Sequence, residues 1–416
     1  MSHSEINQLN GKRPLEGVKV LEYAVFHAGP AAGAILGDLG AEVIKIEGVS
    51  GDPMRYWTEV GDLDMALESG ESMMHEAANR NKRSICLDIK SAKGREIFNR
   101  LVQDTDVFIT NLRKNTKAEL AIDYENLSVL NPRLIHANIS GYGPKGSMNN
   151  TGAFDPMGQA RSGMMFVVGA QEPTLMHLAI LDQATAIAAS HSIMAALFSR
   201  ERNGGIGQEV HVSLYSTAVW LMYCNFMMLG LLSRDSVLPW VRSANSPLRN
   251  SFCCKDGKWV IAVHHPEEKY WGAFCKATGQ NQLMDDSRFT DSSGRPIHNS
   301  EMIDMFDKIF VTKTRDEWLE KFKIEGLMFS PVQHPREVLS DPQALANNYI
   351  VDFDHPAYGA VKIPGYPASF SNCEVGTRSA APVLGEHTVS ILREMGYTEG
   401  TIEELDREGV IRIFQR

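Results

Sequence analysis

An aspartate set among apolar residues, Asp182, has the residue type and surroundings of a possible nucleophile. It lies in the segment Leu178-Ala-Ile-Leu-Asp-Gln-Ala-Thr-Ala-Ile-Ala. Burying a carboxylate costs free energy unless hydrogen bonds or a helix N-terminus replace the lost water. The alanine-rich residues that follow predict a helix from Asp182 to Phe198. Considered alone, Asp182 is therefore interpreted as the N-cap of that helix, and covalent chemistry needs further support.

The turn after Tyr23 is a second candidate. Its sequence is Ala24-Val-Phe-His-Ala-Gly-Pro, with the proline in the first turn of a predicted helix. Open α/β sheets bind ligands at such turns, and His27 is the polar side chain here. The glycines do not form the GxGxxG fingerprint, so nicotinamide or flavin binding has weak support. The alternative is a structural turn with an ordinary loop histidine.

A basic segment, Asn79-Arg-Asn-Lys-Arg-Ser, contains three cations within four residues. Cations at this density can bind phosphate, although a solvated basic loop is the commoner explanation. No metal site is predicted, because the histidines lack carboxylate or cysteine partners at ligand spacing. The sequence also has neither a GxSxG elbow nor a phosphate-binding P-loop. The histidines concerned are His191, His211, His264 and His265.

Length and composition limit the class of protein. A chain of 416 residues predicts two domains. A net charge of −10 disfavours nucleic acid and anionic lipid as partners. Six cysteines without CxxC spacing indicate neither zinc binding nor a disulfide framework. The polar start lacks a signal-peptide pattern, and the most apolar segment, Tyr215–Leu232, is shorter than a membrane span. We therefore expect a cytoplasmic protein in which Tyr215–Leu232 is a buried helix.

Alternating strands and helices predict the elements that position these residues. Strand Val18–Tyr23, helix Ala28–Gly40 and strand Glu42–Glu47 form a βαβ unit, which implies parallel strands. The same alternation continues through strands at 84–88, 107–110, 134–139 and 208–214 and a helix at 92–103. The first half is therefore predicted to be a doubly wound α/β domain.

The second half has a different order of elements. After the turn-rich stretch Ser246–Lys258, strands come first and helices follow, at Glu301–Phe310 and Arg315–Lys323. This order predicts a smaller α+β domain. The tail Thr388–Phe414 predicts a helix pair that packs back on the first domain.

Several segments together resemble the class III CoA-transferase family, which includes formyl-CoA transferase and carnitine CoA-transferase. Each is weak alone, but their order and spacing extend over nearly the whole chain. The early segments are Leu15-Glu-Gly-Val-Lys-Val-Leu-Glu, Ala28-Gly-Pro, Leu39-Gly-Ala-Glu-Val-Ile-Lys-Ile-Glu, Gly51-Asp-Pro-Met-Arg, Asn81-Lys-Arg-Ser and Leu87-Asp-Ile-Lys. The later ones are Asn111, Ser140-Gly-Tyr-Gly, Phe154-Asp, Asp182, Gly205-Ile-Gly-Gln and Ala381-Pro-Val-Leu-Gly-Glu-His-Thr.

The resemblance changes the interpretation of Asp182, which falls where the family keeps its catalytic aspartate. It implies a covalent mechanism in which CoA is a substrate and no metal takes part. It also implies a Rossmann-like CoA-binding domain at 1–215 and 350–416, linkers at 216–245 and 330–349, and a small domain at 246–329. The family forms homodimers of two interlocked ring-shaped chains, so a homodimer is expected.

Matching positions imply the rest of the site. The acyl pocket is expected at Phe26, His27, Ala28 and Tyr142. Where the family often has an arginine just after Glu47, this chain has Gly48. Residues expected to bind the nucleotide and pantetheine arm of CoA are Glu47, Arg83, Leu87, Lys90, Asn111 and Arg113, although Leu87 could be plain core and Lys90 plain surface.

Two other functions remain open. The superfamily also contains α-methylacyl-CoA racemases, which need a base on each face of the α-carbon. Their histidine precedes the aspartate that matches Asp155, and here that position is Phe154, which counts against racemisation. In a non-catalytic CoA-binding homologue, Asp182 would only cap a helix.

The resemblance also suggests a substrate class. The oxalate-specific enzymes have a run of glycines where this chain has Ser243-Ala-Asn-Ser-Pro-Leu-Arg-Asn-Ser-Phe, and His27 replaces the glutamine of the formyl-CoA enzymes. Gly51-Asp-Pro-Met-Arg-Tyr and the tail from Leu392 are similar to the 2-hydroxyacid CoA-transferases of amino-acid-fermenting anaerobes, which act on phenyllactate or 2-hydroxyisocaproate. A 2-hydroxyacid or a related enoate is the expected acceptor.

Overall fold

The computed structural model describes residues 12–169, 172–232, 241–289 and 295–414. The polar start of the chain and residues 233–240 of the expected linker lie outside the described residues. Within the described part, the chain divides into two units, Met1–Val237 with Val351–Arg416 and Leu238–Ile350.

The large unit is built on a six-stranded sheet in which every strand pairs in parallel with its neighbours. The central strands are continuous runs of buried residues, as expected when helices cover both faces. In spatial order the strands are β5 (Lys82–Cys86), β2 (Glu42–Glu47), β1 (Lys19–Tyr23), β6 (Val107–Thr110), β7 (Ile135–Ser140) and β8 (Gln208–Ser213). Two short strands, β3 (Glu59–Val60) and β4 (Leu63–Asp64), form a separate hairpin.

Helices pack on both faces of this sheet, and each face has its own apolar cluster. One cluster joins the sheet to α1 (Ala28–Asp38) and α8 (Ile180–Arg202). The other joins it to α3 (Ala92–Gln103), α5 (Tyr124–Leu130) and the two tail helices, α16 (Thr388–Glu394) and α17 (Glu399–Arg407). The remaining helices of this unit are α2 (Met73–Asn79), α4 (Lys114–Glu119), α6 (Asp155–Ser162), α7 (Met164–Val168), α9 (Leu214–Leu221) and α10 (Tyr223–Leu231).

The strand order places a topological switch point between β1 and β6. From β1 the chain proceeds outward through β2 to β5, and it then returns to start the other half of the sheet at β6. Chain segments that follow β1 and β6 therefore leave in opposite directions and open a crevice at the carboxyl edge. The turn after Tyr23 and Asn111 both lie there. The predicted α/β, doubly wound fold is confirmed.

The C-terminal tail covers the edge strand β5. The Thr388 hydroxyl accepts a hydrogen bond from the Cys86 N–H (3.1 Å), and Gly385 N–H donates to Ser84 Oγ (3.0 Å). Just beyond the strand, Leu87 pairs with Ile411 in an antiparallel bridge. An exposed strand edge is a template for pairing with other chains, so this cover protects the sheet.

The smaller unit has a three-stranded antiparallel sheet in the order β11 (Phe329–Val332), β10 (Trp259–Ala262), β9 (Ser251–Cys253). Its core is rich in aromatic rings, among them Phe252, Phe274, Phe306, Phe310, Trp318 and Phe322. Its helices are α11 (Glu267–Thr278), α12 (Asn299–Phe310), α13 (Arg315–Ile324), α14 (Pro335–Val338) and α15 (Pro342–Ala346). A last hairpin, β12 (Ile350–His355) with β13 (Gly359–Pro364), follows it.

The interpretation of Tyr215–Leu232 as one buried helix is wrong. The segment forms two helices, α9 and α10, which meet at 65°. Trp220 and Leu231 are 71% and 73% exposed. Apolar residues on all sides of a helix favour burial, but they do not require that the same chain supplies the cover. Within the described residues no single helix is long and apolar enough to cross a membrane, and only this bent pair taken together has the length and composition.

Candidate active site at the switch point

The turn between β1 and α1 has an unusual backbone at Phe26. Its φ of +62° lies in the left-handed region, which is unfavourable for a residue with a bulky side chain. The amide of Asn111 binds both the N–H and the C=O of the preceding residue, Val25, at 2.9 and 2.6 Å. Asp52 Oδ1 accepts a hydrogen bond from the Phe26 N–H at 3.0 Å. These contacts fix the turn at the edge of the crevice.

Asp182 lies in the first turn of α8, but it does not cap that helix. The helix begins at Ile180, and its cap position is Ala179, which has no side-chain oxygen. The carboxylate of Asp155, at the start of α6, takes over the capping role. Its Oδ2 accepts hydrogen bonds from the N–H groups of Leu181 (2.6 Å) and Asp182 (3.0 Å). The interpretation of Asp182 as an N-cap is therefore wrong, because another residue satisfies the free amides of the helix.

The Asp182 carboxylate is left without a hydrogen-bond donor among the described residues, although its residue is only partly exposed. Burial and, to a smaller extent, the negative charge of Asp155 together raise its pKa from 3.8 to about 7. A carboxylate with few stabilising contacts is a stronger nucleophile than one held in an ion pair. The Asp182 carboxylate thus makes no structural contact among the described residues, and its chemistry suits a nucleophile.

His27 lies beside the residue that follows Asp182. Its Nε2 is 3.1 Å from Gln183 Oε1, so the imidazole donates there and its Nδ1, buried without a partner, has the lone pair. Burial lowers the pKa of His27, although the Gln183 contact opposes this. His27 is therefore neutral at neutral pH, so it does not form an ion pair with the Asp182 carboxylate.

Three aromatic rings lie next to these residues. The rings of Phe26, Trp57 and Phe154 contact one another edge to face, with centroids 5.1 to 5.8 Å apart. We call these three rings the aromatic wall. Trp57 and Phe154 are 36% and 40% exposed, which leaves apolar surface available to a ligand.

A continuous series of contacts places these residues at one site. Phe154 touches Phe26, and His27, the next residue, touches Gln183. Asp182 precedes Gln183, and its N–H binds Asp155, the residue after Phe154. The structure thus brings Asp182 next to Phe26 and His27, which lie 155 or more positions earlier in the sequence.

The first turn of α1 follows directly after His27. The N–H groups of Ala28 and Gly29 have no acceptor among the described residues, and free amides at a helix start favour negative charge. Gly29 is required by close packing, because a Cβ there would lie 2.8 Å from Ala24 Cβ. These amides are therefore candidates to stabilise an oxyanion.

Tyr142 follows β7 at the same carboxyl edge. The guanidinium of Arg161, on α6, lies over the Tyr142 ring and over Tyr215, 5.7 and 5.8 Å from their centroids. The contact joins the tyrosine to the helix that begins with Asp155. Tyr142 is half-buried and has a free hydroxyl within the described residues.

The residues expected to bind CoA fall into two groups. Glu47 and Leu87 are buried, and Arg83 is ion-paired with Glu42 and Glu394. The Glu47 carboxylate is held by Arg55 at 2.7 Å. Burial alone would raise its pKa, but Arg55, Lys45 and Ser84 together outweigh burial and lower the pKa to about 2. Asn111 is engaged with Val25, as described above. Lys90 and Arg113, by contrast, are exposed and have no carboxylate partner in the described part of the chain.

Sequence reasoning missed four residues of this site, namely Asp52, Trp57, Asp155 and Gln183. Asp52 and Asp155 stood in segments that carried the resemblance, but no role was evident from their types. Nothing local to Trp57 or Gln183 indicates their partners, which are distant in the sequence. In the described residues no group of histidine, cysteine, aspartate and glutamate could hold a metal ion.

Asp155 should affect the pH dependence of Asp182 chemistry. In Asp155→Asn the like charge is removed, so we expect the pKa of Asp182 to fall and the acid limb of the pH–rate profile to move to lower pH. Asp155→Ala should show the same shift with a larger loss of rate, because it also removes the acceptor for two amides. Profiles of kcat/KM between pH 5 and 9 test this, and an unchanged acid limb in both variants would contradict it.

Comparisons with known proteins identify relatives over nearly the whole chain. A model of CoA-transferase family III matches residues 15–388. (R)-2-Hydroxy-4-methylpentanoate CoA-transferase of Clostridioides difficile is 31% identical over 96% of this chain and 99% of its own length. Succinyl-CoA:glutarate CoA-transferase of Mus musculus is 31% identical over 96% of this chain and 90% of its own. The crystal structure of a CAIB/BAIF family protein from Brucella suis has a TM-score of 0.82 at 30% identity, covering 93% of this chain and all of that one.

Proposed function

This chain belongs to CoA-transferase family III, and we propose that it moves CoA from an acyl-CoA donor to a carboxylic acid with Asp182 as the nucleophile. The observation that carries the proposal is the state of Asp182. Its carboxylate is partly buried, lacks a hydrogen-bond donor among the described residues, and has a pKa raised to about 7. Its helix is capped by another residue, so the side chain has no structural task.

The reaction balances as four acyl transfers. The Asp182 carboxylate attacks the thioester carbonyl of the donor, and CoA thiolate leaves, giving an aspartyl–acyl anhydride. The thiolate attacks the aspartyl carbonyl of this anhydride, which gives an aspartyl-CoA thioester and the free donor acid. The acceptor carboxylate attacks that thioester and expels CoA thiolate, and the thiolate then attacks the acceptor carbonyl. New acyl-CoA leaves, and the Asp182 carboxylate is regenerated.

The residues around Asp182 have separate tasks in this scheme. Each addition creates an oxyanion, and the free amides of Ala28 and Gly29 are suited to stabilise it. Asp155 holds the backbone at Asp182 through two hydrogen bonds. The neutral His27 fixes Gln183 on the other side. The nucleophile is thereby oriented without being paired to a cation, which would reduce its reactivity.

CoA is expected to extend along the carboxyl edge of the sheet. The exposed cations Lys90 and Arg113 are available for its phosphates. At the end of β2 and β5 the chain contributes shape rather than free polar groups. The polar groups of Glu47 and Arg83 are already bound by Arg55 and Glu394, and Leu87 has no polar side-chain group. Tyr142 and Asn111 border the path toward the acyl group.

The acid is proposed to be a 2-hydroxyacid or a related enoate, as in amino-acid fermentation. The similarity to the 2-hydroxy-4-methylpentanoate enzyme supports this class, and the aromatic wall offers an apolar surface to its side chain. The cytoplasm is the proposed location, where thiols stay reduced. All six cysteines are free, which agrees with that compartment.

Trapping tests the nucleophile directly. After incubation with acyl-CoA, hydroxylamine or borohydride should modify the protein at residue 182, and peptide mass spectrometry locates the modification. A protein that transfers CoA without any modification at Asp182 would refute the covalent scheme. Racemisation is excluded separately if no α-deuterium is lost to solvent when acyl-CoA is supplied without an acceptor acid.

A homodimer is proposed from the exposed apolar surface of the large unit. Phe198 on α8, Trp220 on α9 and Leu231 on α10 are 65%, 71% and 73% exposed, and exposed apolar side chains of this size favour an interaction surface. A second copy of the chain is the expected cover, and the interlocked arrangement of the family is the proposed form.

The variant Trp220→Glu should weaken the dimer. Light scattering after size-exclusion chromatography should then show a larger fraction at the single-chain mass of 46.2 kDa. Val129→Glu is a matched control, because Val129 is 80% exposed on α5, which packs with the other apolar cluster. Equal behaviour of the two variants would count against this interface.

A further inference from the structure

Side chains hold four consecutive backbone polar groups of the turn after β1. Lys45 Nζ donates to the C=O of Ala24 at 2.9 Å. Asn111 binds both polar groups of Val25, and Asp52 accepts from the N–H of Phe26 at 3.0 Å. These contacts come from three separate places in the chain: β2, the loop after β2 and the segment after β6.

Phe26 explains why the turn needs this support. A phenylalanine with a φ of +62° is strained, and such a conformation persists only when its surroundings enforce it. With an ordinary φ the chain would leave the turn in another direction, and the ring would leave the aromatic wall. The position of the Phe26 ring therefore depends on the acceptor at Asp52.

The Asp52 carboxylate is itself fixed. Its Oδ2 accepts from Lys45 Nζ at 3.0 Å, and its Oδ1 accepts from the N–H groups of Phe26 and Met54. Lys45 is bound in turn by Glu22 at 3.1 Å, and the side chains of all three charged residues are at most 1% exposed. A buried network with every member satisfied is rigid, so it can hold a strained backbone in place.

We propose that Asp52 and Lys45 are positioning residues that set the acyl selectivity of the enzyme by holding Phe26 in the aromatic wall. The proposal rests on the transferase function above and goes beyond it, since neither residue touches Asp182. An acid with a phenyl or branched apolar side chain packs against the wall. An acid whose side chain is only a methyl group gains little binding energy from the wall. A change in the position of Phe26 should therefore weaken binding of the first kind of acid more than binding of the second.

Phenyllactate and lactate make a matched pair of acceptors, because they differ only by the phenyl ring. With one acyl-CoA donor, kcat and KM are measured for both acids in wild type, Asp52→Ala, Asp52→Asn and Lys45→Met. We expect the preference for phenyllactate to fall about tenfold in Asp52→Ala and Lys45→Met, mainly through its KM, as for loss of an aromatic contact. Phe26→Ala should reproduce this loss, and Asp52→Asn, which keeps the Oδ1 acceptor, should retain part of the preference.

A control variant separates positioning from stability. Asp38 is also a buried carboxylate, at the far end of α1, where Arg80 and Asn81 bind it. Asp38→Asn should lower the unfolding temperature without changing the preference between the two acids. If Asp52→Ala and Lys45→Met lose activity equally on both acids, or keep the wild-type preference, the proposal is overturned.

Hydrogen exchange at the Phe26 amide provides a measurement that does not depend on transfer. Exchange of the peptide that covers residues 24–27 should be faster in Asp52→Ala than in wild type and unchanged in Asp38→Asn. Unchanged exchange in Asp52→Ala overturns the proposal. A wild type that transfers CoA to no acid would refute the proposed function instead, and the exchange result would still decide whether Asp52 holds the turn.

Discussion

Replacing Asp182 with asparagine should lower kcat for CoA exchange by more than roughly 1,000-fold, since an amide cannot form the anhydride or the thioester. Asp182→Ala should have the same effect. Asp182→Glu keeps a carboxylate but moves it by one methylene, so a small residual rate is expected. Measuring exchange between labelled acid and acyl-CoA over hours covers this range of rates. The trapped modification should disappear together with the activity.

The same substitution should make the protein more stable at neutral and higher pH. The pKa of Asp182 in the folded state, about 7, lies above its ordinary value of 3.8, so the folded state binds more protons between these values. Stability of the wild type therefore falls as pH rises from about 4 to about 7. Asp182→Asn has no such loss, and its gain in Tm over wild type should be larger at pH 8 than at pH 4. Loss of activity with a lowered Tm at pH 8 would instead indicate a structural role.

Glu22 is the position where we expect the largest effect on stability. Its two carboxylate oxygens bind two lysines, Lys45 at 3.1 Å and Lys82 at 2.7 Å, and all three side chains are fully buried. Burial lowers the pKa of Lys82 to about 7 even with Glu22 present. In Glu22→Gln a buried positive charge loses its partner, and the free energy of unfolding should fall by about 3–5 kcal/mol. Urea denaturation at pH 7 measures this.

Two controls accompany this prediction. Glu42→Gln removes an exposed partner of Arg83 and should cost no more than about 1 kcal/mol. The double variant Glu22→Gln/Lys82→Met removes the orphaned charge as well, so it should recover at least half of the loss. If the double variant is as unstable as Glu22→Gln, loss of packing rather than an unpaired charge is responsible.

The periodicity of the sequence predicts the sheet well, because apolar strands buried on both faces and helices that end at glycine have clear local signals. Helix α3 and strand β6 occur at the predicted bounds. The interpretation of Asp182 as a helix cap failed for a physical reason. A cap can be supplied by any carboxylate that reaches the helix start, and Asp155 reaches it from 27 residues away.

The support for the Phe26 turn could not be predicted for a similar reason. Asp52, Lys45 and Asn111 are common residue types whose partners are fixed only when the strands pair. Local sequence does not indicate that the φ of Phe26 is positive, since residues with bulky side chains rarely adopt that conformation. The sequence of α9 and α10 predicts an apolar surface that must be covered, but it does not predict that the described part of the chain leaves Trp220 and Leu231 exposed.

The cover of β5 by the C-terminal tail has a consequence for synthesis on the ribosome. Gly385, which donates a hydrogen bond to Ser84, follows it by 301 residues in the sequence. One apolar cluster of the large unit also includes the tail residues Ile391, Leu392, Ile402 and Leu405. The smaller unit is therefore translated in full while the larger one still lacks part of its core. Until these residues are translated, the nascent chain exposes an open strand edge, so we expect chaperones that shield such edges to bind it during this interval.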